Sequence, residues 1–220
     1  MRRRAVLLGV LAASCASPEP AYYTLAPVPS PAAIPRRDVG EGRQGASGSA
    51  APVGGGPRTV QLRRPGLAGY LDRPEIVRTG GPYQLSVAGT ERWGEPLGDL
   101  IGRVTAENLA ARLPGTTVLT EAGSITADPD ITVELDIHRF DADASGQVSL
   151  LAQVSVQRGR DWAGTRTRTL RLAATPASGG TADLVATMSQ VLGQLADEVA
   201  GMLRDGARTA AQPVSRRGRR

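Results

Sequence analysis

The sequence has no lysine, one cysteine, one histidine and few aromatic residues, which make up 3% of its 220 positions. A single cysteine cannot form an intramolecular disulfide, and a single histidine cannot build a histidine-rich metal site. All 26 basic residues are arginine, and seven of them lie in residues 2–4 and 216–220. The rest of the chain is nearly neutral, which argues against a general basic surface for nucleic acid.

The N-terminus has the organisation of an export signal that ends on the only cysteine. Three arginines at residues 2–4 precede an apolar run over residues 5–13, which is too short to cross a bilayer. Small residues then lead into Cys15, as in the lipobox of bacterial lipoproteins, where the cysteine is acylated and becomes the mature N-terminus. The alternative is an ordinary secretory signal cleaved near Ala13 or Ser14. The coincidence of the signal's end with the only cysteine favours lipid attachment at Cys15.

The two residues after Cys15 predict the membrane in which the lipoprotein resides. They are Ala16 and Ser17, and neither is the aspartate that retains some lipoproteins in the inner membrane. The expected location is therefore the outer membrane, facing the periplasm, with the palmitate-type acyl chains as the anchor.

Composition divides the chain into four segments. Residues 1–14 are the signal peptide, 15–57 are the lipidated N-terminus and a flexible linker, 58–205 are the folded domain, and 206–220 are a disordered basic tail. Two tyrosines and a leucine at residues 22–25 interrupt the linker. Because these side chains are poorly suited to a solvated linker, we expect them to dock on the domain as a short strand.

Periodicity within the domain predicts two helices and a series of strands. Residues 95–113 and 181–203 carry apolar side chains at helical spacing. The predicted strands cover residues 59–63, 75–79, 83–88, 116–121, 131–140, 147–158 and 165–173. The last three alternate in polarity and predict an antiparallel meander, with Arg139 on the same face as Ile137. The expected fold is α+β in a single domain, a mostly antiparallel sheet with two helices packed on one face.

The residues that usually carry catalysis are scarce, and the sequence predicts no catalytic residue, no metal site and no cofactor. His138 lies on the polar face of a predicted strand, and no Gly-x-Ser-x-Gly motif is present. Residues 141–146 copy the start of a calcium loop, but the twelfth position is Ala152 instead of glutamate. A polar hairpin turn explains that segment equally well.

Several pieces of this sequence, in their order and spacing, resemble the ABC-type transport auxiliary lipoproteins of the paraquat-inducible protein C (PqiC) type. They are Cys15 with the residues 22–25 that follow it, then GYLDRPEIV at 69–77, ERWGEPL at 91–97 and ENLAARLP at 107–114. The family-motif residues, structural or partner-facing, are Tyr22, Tyr23, Leu25, Tyr70, Leu71, Arg73, Pro74, Arg92, Trp93, Glu95, Pro96 and Leu97. A local ion pair between Arg92 and Glu95 is an alternative to a partner contact at these two positions.

The resemblance implies a non-catalytic, membrane-anchored subunit of an MCE/ABC-type intermembrane lipid transport system, which docks the transport bridge at the outer membrane. The implied partners are an MCE-domain membrane protein and, in some systems, an ABC permease and ATPase. A homo-oligomer matched to an oligomeric MCE partner fits the same resemblance. The alternative function is that of another envelope adaptor or outer-membrane assembly lipoprotein.

Overall fold

The computed structural model describes residues 18–29, 57–125, 128–159 and 165–211. Cys15, the part of the predicted linker over 30–56 and the end of the predicted tail lie outside these residues. The described elements, in chain order, are β1 Ala21–Tyr23, β2 Thr59–Leu62, β3 Gly66–Leu67, β4 Glu75–Gly81, β5 Gln84–Trp93, α1 Leu97–Arg112, β6 Thr117–Thr120, β7 Ile131–Ala142, β8 Val148–Arg158, β9 Arg166–Ala174 and α2 Thr181–Ala211.

Strand β7 is the centre of the sheet. On one side it pairs with β8, and β8 pairs with β9, both in antiparallel fashion, which confirms the predicted meander. On its other side, successive stretches of β7 pair in parallel with β2, β3 and β4. Strand β6 extends the sheet from β2, while β5 and then β1 extend it from β4. The long ladders are antiparallel and the two helices pack on the sheet, so the predicted α+β fold is confirmed.

The alternation predicted for β7 is wrong beyond Ile137. The ladder with β8 shifts register between Ile137 and Arg139, so that Arg139 pairs with Leu151 and Phe140 pairs with Leu150. An extra residue in one strand reverses which side chains face the core. Phe140 therefore enters the core in place of Arg139, and Phe140 is buried.

Strand β5 is longer than the 83–88 segment predicted from its sequence. Gly89 and Thr90 resemble a turn, but β5 continues through them to Trp93. It continues because its last residues are paired on both sides. Trp93 is paired with β1, and its amide donates to the Pro74 carbonyl just before β4.

Helix α1 begins at Leu97, two residues later than predicted, and Pro96 is its N-cap. Proline at this point costs no hydrogen bond, because the first amides of a helix have no partner within it. The helix ends at Arg112, and the chain turns away through Pro114 and Gly115, where Gly115 has a φ of 86°. Glycine adopts this left-handed conformation without steric cost.

Helix α2 packs its apolar stripe onto α1, β8 and β9. Each buried leucine in such a stripe contributes about 1.5–3 kcal/mol through the removal of apolar surface from water. The helix runs to Ala211, so the prediction that helix ends near Leu203 and disorder begins at residue 206 is wrong over residues 206–211. Three alanines after Gly206 favour helix strongly enough to continue it. Its core-facing residues include Leu184, Met188, Val191, Leu192, Leu195, Val199 and Leu203.

Candidate functional site

The short strand β1 is built into the sheet beside the end of β5. Ala21, Tyr22 and Tyr23 pair in parallel with Glu91, Arg92 and Trp93. The Tyr23 carbonyl also accepts a hydrogen bond of 2.8 Å from the amide of Gly94. Two of the motif segments are therefore joined to each other through backbone hydrogen bonds.

A third motif segment, residues 69–77, also contacts the end of β5. The Trp93 amide donates to the Pro74 carbonyl over 2.7 Å, and the Trp93 ring is buried. An open cavity of about 340 Å³ lies between residues 72–74 and the start of α1. It is lined by Asp72, Arg73, Pro74, Trp93, Glu95, Pro96 and Leu97. The structure thus brings six of the twelve predicted motif residues together around one depression, which we call the motif cavity.

The charged residues of the motif have different surroundings. Arg73 is exposed on the rim of the motif cavity. Glu95 pairs with Arg103 at 2.7 Å, while Arg92 faces Glu75 at 3.9 Å, so the suggested Arg92–Glu95 pair does not form. Hydrogen bonding to Glu95, with a smaller contribution from Glu107, raises the pKa of Arg103 above its ordinary range.

After β1 the chain crosses from the sheet onto the two helices. Leu25 is buried in the main core. The Ala26 amide donates to the Ser189 hydroxyl over 3.2 Å, and the Val28 amide donates to Asn108 Oδ1 over 2.8 Å. Asn108 is on α1 and Ser189 is on α2, so residues 18–29, which we call the N-terminal segment, bridge the helices.

Arg112 closes this docking site from α1. Its guanidinium donates to the Val28 carbonyl at 3.2 Å and to the Asn108 carbonyl at 3.1 Å. The same group forms a two-point ion pair with Asp197 on α2, at 2.7 and 3.2 Å. Arg112 is 7% exposed, although it carries a charge, because each side of its planar group has an acceptor. It therefore fastens the N-terminal segment to both helices.

Gly193 makes room for the N-terminal segment on α2. A Cβ atom at this position would lie 3.2 Å from Val28 Cβ, which is closer than side chains normally approach. The N-terminal docking site therefore consists of Asn108, Arg112, Ser189, Gly193 and Asp197. The sequence offered one signal for it, since Asn108 and Arg112 are polar residues that flank the buried Leu109 within the 107–114 motif.

Tyr70 of the motif belongs to a separate polar cluster at the end of β7. Its hydroxyl donates to Asp141 Oδ2 over 2.6 Å, and Arg139 Nε donates to Asp141 Oδ1 over 3.0 Å. Asp141 is 2% exposed. Burial, and then the bond to Asp141, raise the pKa of Tyr70 well above its ordinary value. The neighbouring Leu71 is buried in the main core.

The turn between β7 and β8 explains the segment that resembled a calcium loop. The Asp143 carboxylate accepts from the Ser145 amide at 2.9 Å and the Gln147 amide at 3.0 Å. Hydrogen bonding from Ser145 lowers the pKa of Asp143.

His138 is exposed, and its Nε2 lies 3.6 Å from Asp136. Over the part of the chain that the structure describes, no three His, Cys, Asp or Glu residues lie close enough to share a metal ion. Within the same residues, no helix combines the length and hydrophobicity needed to cross a bilayer.

A family model described as the ABC-type transport auxiliary lipoprotein component matches residues 44–200. The chain belongs to this family. The resemblance noted in the sequence is therefore confirmed, and the protein is an auxiliary lipoprotein of ABC-type transport. No protein of curated function matches the chain.

Two solved structures share the fold along nearly their whole length. Protein XCC0632 from Xanthomonas campestris is 19% identical, with a TM-score of 0.64, and the match covers 87% of this chain and 99% of that one. An uncharacterized protein is 16% identical, with a TM-score of 0.63 and coverage of 84% and 99%. At these identities the likeness shows the fold alone. A PelC dodecamer from Paraburkholderia phytofirmans matches with a TM-score of 0.37, too low to support any argument.

Proposed function

We propose that this protein is a non-catalytic, lipid-anchored subunit of an MCE-type intermembrane lipid transport system, which holds the periplasmic end of the transport bridge at the outer membrane. Cys15 carries the anchor, and the partner is an MCE-domain membrane protein, with an ABC permease and ATPase in the same system. Membership of the auxiliary lipoprotein family supports the transport role. The sequence around Cys15 supports the anchor and its location.

The observation that carries the proposal is the docking of the N-terminal segment by the family motifs. Pro18 is described and Cys15 lies three residues before it, so the chain between them spans at most about 11 Å. The predicted flexible residues 30–56 come after the docked segment and do not separate the anchor from the fold. An acyl group on Cys15 would thus hold the domain at the membrane surface, as a docking subunit requires.

The rim of the motif cavity is the surface that we assign to the partner. Asp72, Arg73 and Pro74 are exposed there, whereas Trp93 and Leu97 beneath them are buried. An exposed charged rim around an apolar floor is the usual composition of a protein-binding patch. The buried motif residues then have the structural role of supporting this rim and the N-terminal segment.

The proposal is tested by purifying the full-length protein in mild detergent from its native membranes and identifying the co-eluting proteins by mass spectrometry. A Cys15→Ala protein is prepared alongside. We expect an MCE-domain protein to co-elute with the wild type. We expect the Cys15→Ala protein to leave the membrane fraction, because several acyl chains are needed for stable attachment.

Two results would contradict the proposal. Retention of the Cys15→Ala protein in the membrane fraction would show that the anchor lies elsewhere. Co-elution of outer-membrane assembly factors, without any MCE-domain protein, would favour the alternative envelope adaptor.

A further inference from the structure

The outer half of the β4–β5 hairpin contains no charged residue. Residues 79–90 read TGGPYQLSVAGT. Arg78 pairs across the hairpin with Ser86, so the part beyond this pair, residues 79–85, is the uncharged outer half. A run of this length without charge is unexpected on a solvated hairpin, because charged residues normally protect exposed strands from association. The composition points to an environment that disfavours charge.

Most of the exposed large apolar side chains lie on this hairpin or next to it. Tyr83 at the turn is 102% exposed, Leu85 is 47% exposed and Val87 is 41% exposed. Tyr22 on the neighbouring β1 is 67% exposed, and of the described residues only Ile125 is comparable elsewhere. Leu85 and Val87 are two residues apart and so project from the same face of β5. A tyrosine at the tip with aliphatic residues behind it is typical of a segment in the interfacial region of a bilayer.

The direction of β1 places the lipid anchor on the side of the hairpin turn. Because β1 runs parallel to β5, the chain enters β1 from the end at which β5 begins. Ala21 pairs with Glu91, and Cys15 is six residues before Ala21, just as Leu85 is six residues before Glu91. Six extended residues span about 20 Å, so Cys15 can reach the level of Leu85.

The base of the hairpin is fixed to the domain, so its tip has a defined direction. Arg78 Nη2 donates to the Thr181 hydroxyl at 2.7 Å and lies 3.6 Å from Glu91 Oε2. The Thr181 hydroxyl also donates to Glu91. These contacts tie β4 and β5 to the first residue of α2.

We propose that the uncharged outer half of the β4–β5 hairpin lies in the interfacial region of the membrane that holds the acyl anchor, with Tyr83 and Leu85 in contact with lipid. This inference rests on the proposed anchor at Cys15 and adds to it the orientation of the domain. The acyl chains and the hairpin tip then form two attachments on one side of the molecule. They leave the opposite edge of the sheet, at β9, facing the periplasm.

The experiment places an environment-sensitive fluorophore, NBD, on a cysteine introduced at Leu85→Cys in the full-length acylated protein. Acylation occupies the thiol of Cys15, so the introduced cysteine is the one that reacts. Thr167→Cys on β9 is the matched control, because Thr167 is exposed at the opposite edge of the sheet. Both proteins are reconstituted into phosphatidylethanolamine and phosphatidylglycerol vesicles, with or without a nitroxide on the acyl chains, and co-flotation is checked first.

We expect the nitroxide lipid to remove most of the NBD emission at residue 85 and to leave that at residue 167 unchanged. Emission at 85 that is unquenched and water-like would overturn the proposal. So would a blue-shifted but unquenched signal, which would mean that protein, such as a second copy of the chain, covers the hairpin. Equal quenching at both positions would also overturn it. Failure of the protein to float with the vesicles would instead refute the anchor itself, and with it both proposals.

Discussion

Replacing Arg112 by methionine is expected to lower the free energy of unfolding by about 2–3 kcal/mol. The change removes the guanidinium that donates to the part-buried Val28 carbonyl and to the Asn108 carbonyl, and each hydrogen bond lost costs about 1–1.5 kcal/mol. The ion pair with Asp197 adds little, because the Asp197 side chain is 49% exposed and is hydrated when its partner is removed. Methionine keeps the apolar stem of the side chain, so packing is largely preserved.

The matched control for this prediction is Arg103→Met on the same helix. Arg103 also bridges two carboxylates, at 2.7 Å to Glu95 and 3.4 Å to Glu107, but its side chain is 43% exposed. An exposed pair of this kind contributes less than about 1 kcal/mol. Urea unfolding followed by circular dichroism compares the two variants. Equal losses of stability would mean that Arg112 does not fasten the N-terminal segment.

Replacing Tyr70 by phenylalanine is expected to lower the free energy of unfolding by about 1–2 kcal/mol at pH 7. Asp141 is 2% exposed and would lose the hydroxyl that donates to it over 2.6 Å. The bond from Arg139 to the other carboxylate oxygen remains, which limits the loss. Tyr83→Phe is the control, because the Tyr83 side chain is fully exposed and its hydroxyl supports no buried group.

The difference between wild type and Tyr70→Phe should shrink in alkaline solution. The folded state raises the pKa of Tyr70, so its contribution to stability is complete below the pKa of the unfolded chain, about 10. Above that pH the unfolded chain releases the phenolic proton while the folded protein retains it, and stability falls. Urea unfolding at pH 8 and at about pH 11 measures this change. A difference that stays constant or grows with pH would show that the Tyr70 hydroxyl is not held by Asp141.

The parts of the fold that follow from local pattern could be predicted from the sequence. Alternating polarity predicted β8 and β9 and their antiparallel pairing. Helical spacing of apolar residues predicted α1 and most of α2. The bulge after Ile137 could not be predicted, because Arg139 continues the alternation and only packing selects Phe140 for the core. The extension of α2 beyond Gly206 was not predicted either. Gly206 was interpreted as the end of the helix, although the alanines that follow it favour helix.

The sequence singled out the motif residues, but it did not predict how the structure arranges them. The motif segments were recognisable, yet nothing in their spacing shows that Trp93, Pro74 and Tyr23 meet through backbone hydrogen bonds. The docking site on the helices was missed because it joins Val28 to Asn108, 80 positions away. Periodicity reports which face of a helix is buried, but it does not report which distant segment covers that face.

The central claim of this account is that the N-terminal segment, which connects Cys15 to the domain, is part of the fold. Amide hydrogen exchange at Ala26 and Val28 in the full-length protein tests it most directly, because these amides donate to Ser189 and Asn108 and to no neighbouring strand. The account predicts protection at both amides, reduced by Arg112→Met and unaffected by Arg103→Met. Exchange at the rate of an unstructured peptide in the wild type would contradict it, and Cys15 would then be joined to the domain by a flexible tether.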